Sequence, residues 1–114
     1  MRRSVDQRLQ DILDGTDRID GYLRGCDLKG FAKDRLLRDA VERNIEIISE
    51  ASRHVPQMMR EAQPTIPWNE IAGVENILRH GYDVVDTEVI WNTIQYDLGP
   101  LRAAVEKKTR SDRT

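Results

Sequence analysis

The sequence predicts an all-α fold, an up-and-down bundle of four main helices plus a short connecting helix. Three observations carry this expectation. Apolar residues recur at steps of three and four over most of the chain. No stretch alternates apolar and polar residues as a half-buried strand would. Glycine or proline marks the expected breaks, at Gly25, Pro56, Pro67, Gly81 and Gly99-Pro100.

The first helix is expected from about Ser4 to Leu23. Ser4 is a natural N-cap, and Val5, Leu9, Ile12, Leu13, Ile19 and Tyr22 form an apolar stripe. Gly25 ends the element. Leu28 and Phe31 then mark a short helical turn leaning on the core. The second helix is expected from about Asp34 to Glu61, with Leu37, Ala40, Val41, Ile45, Ile48, Ala51, Val55 and Met58 inward. Pro56 should kink or terminate it, because proline lacks the N–H and clashes with the preceding turn. Thr65-Ile66-Pro67-Trp68 opens a third helix with Pro67 at its tolerated first position. Trp68, Ile71, Val74, Ile77 and Leu78 should face the core, with Gly81 as C-cap. Asp86 or Thr87 is expected to cap a fourth helix through Val89, Ile90, Trp91, Ile94 and Leu98. Gly99-Pro100 should interrupt it, and Leu101, Ala104 and Val105 continue the apolar spacing to about Lys108. One domain over 1–108 and a basic, flexible tail over 109–114 complete the organisation.

With 114 residues the chain can build one core. The formal net charge is -2, so there is no bulk positive field. Any nucleic-acid contact must come from a local patch or from the cleft of an oligomer. The single cysteine, Cys26, excludes an internal disulfide and a cysteine-based zinc site. No metal-ligand cluster and no cofactor motif are visible, so neither a metal nor a cofactor is expected. Met1-Arg2-Arg3 is not followed by an apolar run, and no run approaches a membrane span. The expected location is cytoplasmic.

Asn76-Ile77-Leu78-Arg79-His80-Gly81-Tyr82 is the most informative segment. Helical steps of three and four bring Asn76, Arg79 and His80 onto one polar face. A histidine able to titrate beside an arginine suits phosphodiester chemistry. Each residue also has a plain reading. His80 can simply cap the helix end, Tyr82 can be a half-buried aromatic, Arg79 a surface ion-pair partner, and Asn76 a loop hydrogen bonder. His54 reads as solvent-facing. Asp39, Glu46 and Glu50 form either a polar seam along a cleft or an ordinary solvated face. Trp68 and Trp91 read as core anchors.

The run Ile66-Pro67-Trp68-Asn69-Glu70-Ile71-Ala72-Gly73, followed by Asn76, Leu78, His80, Tyr82, Val85-Asp86 and Trp91, resembles the HepT-like family of the HEPN superfamily. The likeness extends upstream through Asp39–Ala51 and downstream through Asp97–Leu101. It implies a HEPN-like bundle that forms a homodimer. It implies the toxin of a type II or type VII-like toxin–antitoxin module, whose antitoxin is a minimal nucleotidyltransferase. The activity implied is metal-independent RNA endonuclease cleavage at a composite site on the dimer interface. The family signature is an arginine and a polar residue, then His-x-Tyr. Carried over, His80 matches the histidine, Asn76 the polar residue, and Tyr82 the tyrosine that accepts AMP from the antitoxin.

The motif arginine has no match. Glu75 stands in its place, and Arg79 lies one turn later. Arg79 could supply the phosphate contact, or Glu75 could occupy Arg79 as an i, i+4 ion pair. The residues named for catalysis are thus His80, Arg79 and Asn76. The alternative is a non-catalytic HEPN-like partner-binding module in which Glu75 marks loss of the nuclease. A third reading is an accessory subunit of a nucleotidyltransferase with Tyr82 as acceptor.

Overall fold

The computed structural model describes residues 3–80 and 84–113, with side chains described over 3–78 and 87–110. Every element among them is helical: α1 (Val5–Tyr22), α2 (Leu28–Lys33), α3 (Arg35–Arg53), α4 (Gln57–Glu61), α5 (Trp68–His80), α6 (Val84–Asn92) and α7 (Gly99–Arg113). A π-helical segment, Thr93–Leu98, joins α6 to α7. The main rods are α1, α3, α5 and the run from α6 through α7; α2 and α4 are short connectors. The all-α bundle read from the apolar periodicity is therefore present.

The helix starts follow the polar side chains that precede them. Ser4 and Gln7 form a reciprocal capping box, in which each side chain accepts from the other residue's backbone N–H. Asp27 accepts from the Gly30 N–H at 2.8 Å, and Asp34 from the Leu37 N–H at 3.0 Å. Gly25 takes a φ of 75°, a left-handed turn that glycine makes without steric cost.

The core joins Leu9, Ile12 and Ile19 of α1 to Val41, Ile45 and Ile48 of α3. Ile71 and Val74 of α5 and Leu101 and Val105 of α7 complete it. Phe31 is fully buried and meets Trp91 with ring centroids 5.6 Å apart. Both Trp68 and Trp91 pack against this core, and the Trp68 indole donates to the Gln63 carbonyl at 3.0 Å. Helix α1 comes close to α3 at Gly15, where an added Cβ would lie 2.8 Å from Ile48 Cγ1.

Several expected details differ. The second rod does not run to Glu61: α3 ends at Arg53, His54 is its C-cap, and α4 begins after Pro56. Proline terminates rather than kinks, which turns Met58 outward to 81% exposure. Pro67 precedes the first helical residue of α5, with its carbonyl accepting from Ile71 at 3.0 Å. Ile77 is 41% exposed rather than core-facing, because α3 covers only the stripe through Ile71, Val74 and Leu78. Val5 and Tyr22, at the two ends of α1, are likewise open. Thr87 does not cap the fourth rod. It is buried inside α6, which begins at Val84. Gly99-Pro100 does not interrupt that rod either. Proline's ring clashes with the carbonyl four residues back in a regular helix. The wider π turn ahead of it displaces that carbonyl, and Gly99 keeps helical angles.

Candidate functional site

Helix α5 presents the motif. Its inner stripe anchors on α3 through Ile71 and Val74, and the Ser49 hydroxyl donates to the Ala72 carbonyl at 2.9 Å. That packing fixes the outer positions. Asn76 is exposed, as a residue that meets a ligand must be. The α5 backbone runs through His80. The side chains of Arg79 and His80, and Tyr82 as a whole, lie outside the described residues.

Glu75 is the position where α5 meets α3. Its carboxylate, 18% exposed, accepts from Nη2 of Arg53. The same Nη2 donates to Glu50 at 2.5 Å. His54 Nε2 lies 3.1 Å from the other Glu50 oxygen, and Arg8 Nη1 of α1 lies 4.0 Å from it. The pairing described for Glu75 is with α3, and a pairing with Arg79 on its own helix lies outside the described residues.

The electrostatics of this cluster follow from those contacts. Hydrogen bonds from His54 and Arg53 hold the Glu50 carboxyl below its ordinary titration range, against a smaller opposing effect of burial. Burial opposes the charge on Arg53, but the Glu50 hydrogen bond and the fields of Glu75 and Glu50 outweigh it and raise its pKa. Both shifts favour the charged forms, so Arg53 stays cationic between two carboxylates. Among the described residues no group of three or more His, Cys, Asp or Glu side chains could hold a metal ion.

The acidic seam of α3 divides in two. Asp39 lies on the solvated face, paired with Arg35 at 3.3 Å. Glu46 and Glu50 instead line a cavity of about 300 Å³ together with Glu75. His54 is half-exposed, as expected, but tied to Glu50. Arg53 was not singled out by the sequence. Its signal is weak, an arginine three residues after Glu50, and only the α3–α5 packing reveals its second partner.

Comparison with known proteins completes the picture. The family model described as "Ribonuclease HepT-like" matches residues 12–108. A protein of Thermococcus cleftensis named as a HepT ribonuclease is 36% identical over 107 residues, 94% of this chain and 97% of that one. A protein of Methanocaldococcus jannaschii named as an RNase, MJ1380, is 34% identical over 105 residues, 92% and 96% of the two chains. Another named as an RNase, from Caldanaerobacter subterraneus, is 34% identical over 99 residues, 87% and 88% of the two. No solved structure matches. No helix among the described residues is long and apolar enough to cross a membrane. With a matching family model over most of the helical bundle and relatives covered almost end to end, the chain belongs to the HepT-like ribonuclease family.

Proposed function

We propose that this protein is a metal-independent RNA endonuclease that works as a homodimer and serves as the toxin of a toxin–antitoxin module. The observation that carries the reading is the family match over residues 12–108, which spans the Asn76…His80-x-Tyr82 segment. In this reading the ribose 2′-OH attacks the adjacent phosphorus, forming the new P–O2′ bond as the P–O5′ bond breaks. One His80 takes the 2′-OH proton, and its copy in the second protomer gives a proton to the departing O5′. Asn76, already exposed on α5, contacts phosphate or steadies the imidazole, and Arg79 stabilises charge on the phosphoryl oxygens. A minimal nucleotidyltransferase is the antitoxin and transfers AMP to Tyr82.

Incubation of purified protein with RNA in excess chelator is the test. Cleavage that falls by two decades or more in His80→Ala supports the reading. Intact RNA, or cleavage indifferent to His80, removes it. The second reading, a partner-binding module without nuclease activity, is favoured by the carboxylate at position 75, and intact RNA alongside a stable nucleotidyltransferase complex would establish it.

A further inference from the structure

We propose that Arg53, on α3, is the phosphate-contact residue of this site, aimed by Glu50 and Glu75. The assignment rests on the RNA-cleaving reading above.

Three observations point to it. First, Arg53 lies at the motif-bearing helix itself. Its Nη2 bonds Glu75, the residue just before Asn76 and five before His80 on α5. Five residues correspond to roughly 7.5 Å along a helix axis and about 140° around it, so a phosphate held by Arg53 would lie between the faces of Glu75 and His80.

Second, the guanidinium is held but not used up. Both carboxylates engage the same terminal nitrogen. Among the described residues Nε and Nη1 make no hydrogen bond, and the side chain is 37% exposed. Arginine offers five N–H donors in a planar fork, so one edge can stay fixed while another accepts a phosphate. A side chain anchored in this way loses less conformational entropy on binding than a free one.

Third, one of the two carboxylates on Arg53 is balanced by further basic groups. Glu50 also faces His54 and Arg8, so its charge is shared among three basic groups. Arg8 carries a buried Nε without a hydrogen-bond partner among the described residues. It lines the same cavity of about 300 Å³ as Glu50 and Glu75, in which Arg3 is paired with Asp11 and Arg43 with Glu46. This cavity adjoins the two carboxylates that hold Arg53. Arg53 therefore brings to α5, from the neighbouring helix, the positive charge that Glu75 takes away from it.

The test uses the full-length protein and a short single-stranded RNA made uncleavable by 2′-O-methylation. Affinity is measured against salt concentration for wild type, Arg53→Gln and the charge-swapped double variant Arg53→Glu/Glu75→Arg. Arg53→Gln should weaken binding about tenfold and lower the log–log salt slope by about 0.7, the loss of one phosphate contact on a single strand. The double variant should return to within about threefold of wild type, because the cation is moved across the pair rather than deleted. Unmodified RNA cut by the same proteins should follow the same order. Melting temperatures and oligomeric state verify that each variant folds. Unchanged binding in Arg53→Gln, or a double variant as weak as the single one, overturns the assignment. A wild type that binds RNA but leaves it uncut refutes the ribonuclease reading instead, while the binding comparison still decides for or against Arg53.

Discussion

Arg53 and Glu75 are 22 positions apart in sequence and form an ion pair across the seam between α3 and α5. The pair joins the motif helix to the long central one at the point where the polar face begins. It also draws in Glu50, so two helices share one guanidinium.

A double-mutant cycle on Arg53 and Glu75 should report coupling of about 0.5–1 kcal/mol in urea unfolding, fading as salt is raised toward 1 M. The value is small because Arg53 is partly open to solvent. A coupling near zero at low salt would contradict the geometry.

The Glu50 carboxyl titrates below its ordinary value in the folded chain. As pH falls, the unfolded chain takes up that proton first, so the equilibrium moves toward unfolding. The contribution is complete at neutral pH, begins to fall within the ordinary glutamate range, and is lost as pH passes through the lower folded value. Melting temperature followed from about pH 7 to pH 3 should therefore drop more steeply for wild type than for Glu50→Gln.

Asp97, in the π-helical segment, behaves oppositely. Burial and then the nearby Glu70 charge raise its pKa. Its ionised form is disfavoured in the fold, so the contribution of this group is most favourable in acid and is lost as pH rises through the folded value. Asp97→Asn should stabilise the half-buried site by a few tenths of a kcal/mol at neutral pH, read as a higher melting temperature, and give no gain in acid.

Core substitutions should separate two kinds of packing. Phe31→Ala opens a void beneath Trp91 and should cost about 3–5 kcal/mol in denaturant unfolding. Gly15→Val drives methyl groups into Ile48 and should cost about 1–3 kcal/mol. A neutral result at Gly15 would mean that α1 and α3 can move apart.

The bundle was legible because its stripes are wide and regular: Leu9, Ile12 and Ile19, then Val41, Ile45 and Ile48, are each three to seven residues apart and all buried. Ends were less legible. Pro56 stops a helix whose apolar pattern continues into Met58, and Pro100 is carried by a π turn that leaves no compositional mark. Of the candidate site, Asn76 could be placed on an exposed face from spacing alone. Arg53 could not, since nothing in a one-dimensional pattern tells which helix crosses Glu75. His80, Arg79 and Tyr82 remain sequence assignments for the experiments above.

Helix α7 lies directly on α1, and Arg102 donates to the Leu13 carbonyl and the Thr16 hydroxyl while pairing with Asp17 and Glu106. Leu101 and Val105 are thus the cover for residues translated some ninety positions earlier. A nascent chain has no complete interior until α7 has cleared the ribosome, so the earlier rods stay uncovered on that side until then.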